Sequence, residues 1–314
     1  MPPIAHQPTM ETAHRACPVC EAPAAAGTVL HDERFDPSRL GPFAFAPRKL
    51  PELMHWRLVE CPVCDVLFAS PAPTAGVLAT AYRATGYESQ EEARYAARTY
   101  GDLLRGAVPS LPPTGGTLDV GTGDGAFLRV LTDLGFDDVA GVEPSRAAIE
   151  TADDDIRALI RADVFRVEDF EPRRYRLISA LHIVEHLADP LEAFRGAHGL
   201  LGDGGAMFVV CHDRRAALNR LLGPRSPIYD IEHLQLFCRR SLRALLARAG
   251  FHNVRIWRFR NRYPLSYWLR LAPLGRAKPG LVTALERARL GSLPVTLPVG
   301  NLAAVAWKDV APGR

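Results

Sequence analysis

Four cysteines in two identical tetrapeptides, Cys17-Pro18-Val19-Cys20 and Cys61-Pro62-Val63-Cys64, specify a chemistry by type and spacing alone. A Cys-x-x-Cys turn points two thiolates at one ion, and two such turns complete a closed, tetrahedral four-sulfur site. Structural zinc is the expected occupant, because a closed site keeps no position open for a substrate. A redox dithiol is disfavoured, since neither pair opens a βαβ helix. Two buried thiol pairs are the remaining alternative. The gap between the pairs is longer than in common zinc ribbons, so a large loop must join them. Cys211 and Cys238 read as lone thiols of the core or near a site.

A second constellation is Thr117-Leu118-Asp119-Val120-Gly121-Thr122-Gly123-Asp124-Gly125-Ala126-Phe127-Leu128, an apolar run ending in glycines at alternate positions. Without Cβ atoms the backbone turns tightly and a ligand can approach it closely. Such strand-to-helix turns lie at the carboxyl ends of strands, where open α/β sheets bind ligands. The string also fits a dinucleotide fingerprint, and Glu143, about twenty residues on, suits a ribose in either case. Charge separates the two. Asp119 and Asp124 would sit badly against a pyrophosphate, which wants N–H donors. A ligand with an ammonium and a sulfonium gains from those carboxylates. A methyl donor therefore fits better than a nicotinamide.

Methyl transfer to a hydroxyl needs a base, and imidazole is the side chain suited to neutral pH. His182, His186 and His233 qualify by position. His182 falls at the end of an expected strand, with Glu185 and His186 one helical turn further on. His233 lies in Ile228-Tyr229-Asp230-Ile231-Glu232-His233-Leu234-Gln235-Leu236-Phe237, just before a periodic helix. The favoured base is His182 or His233, while His186 reads more readily as a helix-start residue bonded to backbone.

With these residues in place, the chain resembles the class I S-adenosylmethionine-dependent methyltransferases over about Leu111–Cys211 and the C-terminal strands. The matching pieces are Leu118–Gly125, Gly141-Val142-Glu143-Pro144-Ser145, Arg161-Ala162-Asp163-Val164, and Ile178 to Pro190. The resemblance implies S-adenosyl-L-methionine as cofactor. By it, Asp119, Gly121, Thr122, Gly123 and Gly125 would hold the methionine portion, and Glu143, with Pro144 beside it, the ribose. Asp163 would face the adenine amino group and Val164 its ring, while Leu181 and His182 would border the methyl. The loop around His233 looks like the acceptor side of the same enzymes, which would put Tyr229 and His233 in the acceptor pocket. Some bacterial methyltransferases of sugars and cell-surface glycans are similar again, with a paired-cysteine knuckle and a Tyr-rich segment. Tyr82 and Tyr87 fit that segment, and Tyr87 would contact donor or substrate.

The elements that must position these groups follow from period and punctuation. Strands are expected at Thr117–Val120, Asp138–Val142, Ala158–Ile160, Leu177–Leu181, Ala206–Cys211, Val254–Arg258 and Leu302–Trp307. Helices are expected at Gly125–Leu134, Ser145–Ala152, Pro190–Leu200 and Arg240–Ala249. The alternation predicts parallel βαβ units with helices on both faces, an α/β, Rossmann-like, doubly wound, seven-stranded sheet. The expected organisation is a zinc-binding module at 1–75, a helical linker or lid at 76–110, and the methyltransferase domain at 111–314. A helical insert at 263–299, with helices at Leu265–Leu271 and Gly280–Leu290, precedes the last strand.

A hydrophobic content of 47% and a charged content of 23% are those of a globular chain with a real core. The first residues lack a basic region followed by an apolar run, and no stretch reaches the roughly 18 apolar residues of a membrane span. The expected location is the cytoplasm, with peripheral contact at the inner membrane as an added option. Net charge is +3, yet Phe251–Leu290 holds nine Lys or Arg against one acid, Glu286. That asymmetry suits a phosphate-bearing or glycan-linked acceptor, a membrane surface, or simply a solvated basic face. The expected activity is O-methylation of a sugar or polysaccharide precursor. A natural-product O-, N- or C-methyltransferase is the alternative. A nucleic-acid-associated protein is disfavoured, because Cys61–Pro73 has few cations and no aromatic series among them.

Overall fold

The two cysteine tetrapeptides belong to a β-rich unit at the start of the computed structural model, which describes residues 10–46, 52–108, 115–272 and, apart from 284, 286 and 289, 283–309. Its strands are β1 (Thr12–Ala13), β2 (Thr28–His31), β3 (Leu58–Glu60), β4 (Leu67–Ala69) and β5 (Ala72–Pro73). Turn residues interrupt each apolar run, so the strands stay short. The pairs β2–β3, β3–β4 and β1–β5 are all antiparallel. Two helices follow, α1 (Ala75–Ala84) and α2 (Gln90–Ala107). Helix α2 buries Ala93, Ala96, Ala97, Tyr100 and Leu104 on one face, the stripe expected of an amphipathic helix. The break expected after it, Pro109–Gly116, lies mostly outside the described residues.

The alternating segment then folds nearly as its pattern predicts. It runs β6 (Gly116–Val120), α3 (Ala126–Asp133), β7 (Asp138–Val142), α4 (Arg146–Glu150), α5 (Asp154–Arg157), β8 (Ile160–Arg161), β9 (Tyr175–Leu181), α6 (Pro190–Leu200) and β10 (Leu201–His212). The third strand starts later than expected because the acid run Asp153-Asp154-Asp155 opens α5, where carboxylates favour a helix N-terminus. Helix α6 has the expected bounds: Pro190 is its first residue and the Asp189 side chain accepts from the Glu192 N–H at 2.9 Å. The chain continues through α7 (Ala217–Leu222), β11 (Gln235–Leu236), α8 (Arg239–Arg248), β12 (Asn253–Pro264), α9 (Leu265–Leu271) and β13 (Pro294–Trp307).

Seven of these strands form one sheet in the order β12-β13-β10-β9-β6-β7-β8. Strands β8, β7, β6, β9 and β10 are parallel, whereas β13 runs antiparallel to both β10 and β12. The sheet is therefore mixed, which corrects the expectation of parallel units throughout. The cause lies in the last connection: β12 and β13 pair as far as Pro264 opposite Pro294, so they form the two arms of one long hairpin. Residues 263–264 and 294–299 of the expected insert are thus strand. Helix α9 stands where expected, and the second helix expected there, Gly280–Leu290, falls largely outside the described residues. Residues of α2 and α3 cover one face of the sheet and residues of α6 and α8 the other. No helix among the described residues is long and apolar enough to cross a membrane.

The cysteine-bearing unit is stitched to the large sheet's loops. Strand β11 pairs antiparallel with β4, completing a four-stranded sheet β11-β4-β3-β2. The Trp56 indole N–H donates to the Ile231 carbonyl at 2.8 Å. The guanidinium of Arg15 donates to the carbonyls of Ala69 (2.9 Å), Ala188 (3.0 Å) and Leu234 (2.8 Å) and to Oε1 of Gln235 (2.9 Å). Removing it leaves three carbonyls, from β4 and two loops, without that donor, and each unsatisfied buried group costs about 1–3 kcal/mol. Arg15→Met should therefore lower stability by about 2–4 kcal/mol, read as a drop in the urea midpoint. An unchanged midpoint would show that Arg15 is not a tie.

Candidate active site

A cavity of about 1050 Å³ opens at the carboxyl ends of the parallel strands, the ligand position of open α/β sheets. Asp119 and Val120 reach it from β6, Val142 from β7, Leu181 from β9 and His212 from β10. Helices α1 and α2 cover it with Tyr82, Ala93, Ala97 and Tyr100, and the loop before β11 adds Asp230, Glu232 and His233. Most of the expected donor-side residues line it: Asp119, Gly121, Thr122, Gly123, Glu143, Pro144, Val164, Leu181 and His182.

The three glycines serve different ends. Gly121 (φ 72°) and Gly125 (φ 73°) are left-handed, and a Cβ there would come within 2.1 Å of Ile183 Cδ1 and 2.3 Å of Ile156 Cγ2. Gly123 (φ 60°) has open space before it, with the Tyr87 hydroxyl the nearest atom at 3.9 Å from such a Cβ. Packing thus demands two of the glycines, while the third leaves room for a ligand; Gly125 itself starts α3 and does not line the cavity. Glu143 accepts from the Gly123 N–H (2.9 Å) and the Ser145 N–H (2.8 Å). The Ser179 hydroxyl donates to Asp119 at 2.5 Å. Burial pushes both acids up, Asp119 to about 7, against the lowering effect of those hydrogen bonds.

Two expected residues stand elsewhere. Asp163 does not line the cavity; its carboxylate is held by Arg83 (2.7 Å), the Val164 N–H (2.8 Å) and Arg166. Tyr229 is buried against His31 and His55, with ring centroids 4.9 and 6.3 Å away, in the seam with the cysteine unit. Tyr87 does line the cavity.

The histidines converge. His182 takes a left-handed φ of 56° at the tip of β9, where its N–H donates to the Val210 carbonyl at 2.8 Å. Its Nδ1 is 3.8 Å from Glu185 Oε1, and its ring centroid is 4.5 Å from that of His212. Asn301 links the two, with Oδ1 2.9 Å from His212 Nδ1 and Nδ2 3.5 Å from His182 Nε2. Burial drives the His212 imidazole down to about 3, so it stays neutral. His186 lies 2.9 Å from the Tyr82 hydroxyl, its backbone N–H donates to the Ile183 carbonyl, and its ring is 4.9 Å from that of His233. His182, Glu185 and His212 form one group able to hold a metal ion, and His186, Glu232 and His233 another. Sequence reasoning did not single out His212, Asn301 or Glu232 as site residues. His212 ends the fifth strand and was legible from that place alone. Asn301 reaches the cavity only because antiparallel β13 sets it opposite His212, and Glu232 stood beside His233 unweighed.

The four tandem cysteines also meet. Cys17 and Cys64 sulfurs are 3.5 Å apart, those of Cys20 and Cys61 are 3.4 Å apart, and all four lie within 4.8 Å of one another. Zinc–sulfur bonds of about 2.3 Å set tetrahedral thiolates about 3.8 Å apart, so the set fits a four-thiolate ion. Both tetrapeptides make the same turn, for Glu21 (φ 63°) and Asp65 (φ 66°) are left-handed at matching places. The Glu21 N–H donates to the Cys17 carbonyl and the Asp65 N–H to that of Cys61. The Cys64 thiol's hydrogen bond pulls the Cys17 thiol down and pushes its own titration up.

Residues 90–256 match a family model described as a methyltransferase domain. No curated protein matches the chain. Among solved structures, a SAM-dependent methyltransferase from Thermotoga maritima is 18% identical, covering 69% of this chain and 91% of its own at a TM-score of 0.46. A SAM-dependent methyltransferase from Archaeoglobus fulgidus is 17% identical, covering 70% and 97% at a TM-score of 0.45. Phosphoethanolamine N-methyltransferase 2 of Haemonchus contortus, solved with S-adenosyl-L-methionine, is 16% identical over 68% and 52% at 0.45.

Asp119 makes a pH prediction. A carboxyl that ionises near 7 in the empty cavity must lose its proton to pair with a cationic ligand. The affinity for S-adenosylhomocysteine, which carries an ammonium, should rise with pH through about 7 and level off above it. Below 7 it should weaken by up to about tenfold per unit. Calorimetry between pH 5.5 and 8.5 checks this, and a flat profile would rule out Asp119 as the titrating partner.

Proposed function

Since the chain belongs to the methyltransferase domain family and is an S-adenosylmethionine-dependent enzyme, we propose that it O-methylates a small or glycan-linked hydroxyl compound, a sugar or polysaccharide precursor. The observation that carries this reading is a set of polar side chains on the cavity wall, among them His182, His212, His233, Asn219, Asp230 and Asn301. A polyhydroxylated acceptor can hydrogen-bond to such groups as an apolar one cannot.

The donor, when bound, supplies an activated methyl on a cationic sulfur. The chain's own residues do the rest. Asp119, the glycine turn and Thr122 would hold the amino-acid end, and Glu143 and Pro144 the ribose, with Val164 beside the base. Glu143 suits this because its oxygens are already aimed by two backbone N–H groups. Asp163, tied to Arg83 and Arg166, would act by orienting the Val164 N–H that it accepts from. His182 is the proposed base, with Glu185 on its Nδ1 side to stabilise the imidazolium after it takes the hydroxyl proton. Tyr87 and His233 would contact the acceptor. Tyr229 supports the loop that carries His233 from behind. Alignment and exclusion of water by α1 and α2 supply the remainder.

Eight carboxylates (Asp119, Asp124, Glu143, Glu168, Asp189, Glu192, Asp230 and Glu232) and one guanidinium, Arg166, line the cavity among the described residues. That balance favours a neutral acceptor inside and keeps any phosphate of the acceptor at the rim or beyond. It also speaks against nucleic acid in the cavity. A second reading has its own observation: Tyr263, Tyr267 and Trp268 line one side, a surface suited to the ring of a natural-product scaffold methylated at O, N or C. The cysteine set is proposed as structural zinc in a module spanning 1–75. Residues 76–110 would be the lid and 111–314 the methyltransferase domain, in a cytoplasmic protein.

Three measurements test the scheme. Glu143→Ala should weaken S-adenosylhomocysteine binding by about thirtyfold, the loss of charge-assisted hydrogen bonds worth about 2 kcal/mol. His182→Ala should keep that binding while kcat, on an acceptor found by screening nucleotide sugars and free glycans, falls about 10²–10⁴-fold. Normal donor binding in the first variant, or normal turnover in the second, would refute the corresponding role. Elemental analysis should find one zinc per chain, lost together with folding cooperativity in Cys61→Ser. A zinc-free wild type that folds equally well would remove the structural-zinc proposal.

A further inference from the structure

The methyltransferase reading uses His182 as base and His233 only as an acceptor contact, and a second cluster lies beside the first, with the His212 and His233 ring centroids 5.3 Å apart. His186 follows β9, while Glu232 and His233 lie in the loop that β11 anchors to the cysteine unit. One nitrogen of each imidazole and one carboxylate oxygen lie within 4.8 Å of one another. Glu232 stands between the rings, with Oε2 3.8 Å from His186 Nδ1 and Oε1 3.9 Å from His233 Nε2. We propose that His186, Glu232 and His233 hold a divalent transition-metal ion at the acceptor end of the cavity, apart from the four cysteines.

The donor set is two imidazoles and one carboxylate on one side, the arrangement that binds first-row divalent ions and leaves positions open for small ligands. Bonds of about 2.1 Å set neighbouring donors about 3–3.5 Å apart, so the two pairs that Glu232 makes, at 3.8 and 3.9 Å, need close by less than about an ångström. One supporting contact is that of a ligating histidine. His233 Nδ1–H donates to the Ile228 carbonyl at 2.8 Å, which fixes the tautomer with the Nε2 lone pair toward Glu232. His186 Nδ1, which faces Glu232, also lies 2.9 Å from the Tyr82 hydroxyl, a bond that an ion on that nitrogen would replace. All three side chains are at most 14% exposed, yet all three line the cavity, so the open positions would face the acceptor.

The other group, His182, Glu185 and His212, is less suited. Glu185 Oε1 already accepts the His212 backbone N–H at 2.6 Å, and Asn301 bridges the two rings. Charge adds weight to the first choice. Glu232 and Asp230 are both buried there, and a dication relieves such a concentration of buried carboxylates. An ion there would grip adjacent acceptor oxygens and make a hydroxyl easier to deprotonate. This role rests on the acceptor half being as proposed above, while the ion's binding does not depend on the donor.

The test uses the full-length protein with zinc on its cysteines. Mn²⁺ titrated into it and followed by the free-ion EPR signal should bind at one site per chain. Glu232→Gln, which keeps shape and folding, should weaken that binding by about 10–100-fold or more, and so should His233→Ala. Co²⁺ in place of Mn²⁺ should give weak ligand-field bands without sulfur-to-metal charge transfer. No Mn²⁺ binding, binding untouched by Glu232→Gln, or a thiolate band from the added Co²⁺ would each overturn the site. S-Adenosylhomocysteine calorimetry on the same samples separates the two readings. Its failure would count against the donor site alone, and its success with no bound Mn²⁺ would count against the metal alone.

Discussion

Carboxylates held inside a cavity govern how this molecule is put together. Asp119 and Glu143 are each under 10% exposed, and an ionised carboxylate taken from water costs several kcal/mol unless it is paired. The chain offsets part of that cost with its own donors: Ser179 to Asp119, and two backbone N–H groups to Glu143. The Gly123 N–H can point at Glu143 only because three successive left-handed glycines reverse the chain between β6 and α3. What stays uncompensated, and raises both titrations, is the part a cationic ligand supplies.

The cysteine unit belongs to the same construction. Strand β11 is paired to β4, Trp56 holds the Ile231 carbonyl, and Arg15 gathers carbonyls from β4 and two loops. Arg214 and Arg215, just past β10, reach Glu60 and Asp65 beside the second cysteine pair. The loop with Asp230, Glu232 and His233 is thus clamped from behind by the unit that the four sulfurs organise. The large sheet positions the wall that carries Asp119 and Glu143, and the small sheet backs the wall that carries Asp230, Glu232 and His233.

Much of this was legible before any coordinates. Periodicity placed β6, β7, β9, α3, α6 and α8 to within two residues, because each is buried on a regular face and bounded by Gly, Pro or a capping Asp. The Cys-x-x-Cys pairs could be joined to one another because tetrahedral chemistry demands four donors. The direction of β13 could not be read, since a strand's sequence does not reveal which way its neighbour runs; Asn301 was hidden with it. Asp163 and Tyr229 show another limit. Motif position put each in the right loop, but local partners decide the side chain's direction: Arg83 and Arg166 for one, the rings of His31 and His55 for the other.

The hairpin of β12 and β13 bears on how copies of the molecule behave toward each other. Strand β12 is an outermost strand of the seven, and Arg255, Arg258, Arg260 and Arg262 are exposed along it. An unpaired strand rim invites a neighbour to add to the sheet, and a row of fixed cations repels an identical row. The exposed cations of β12 would therefore discourage an identical rim from adding to it, a consequence that needs no anionic partner. The opposite rim, β8, has two residues and offers little to add to.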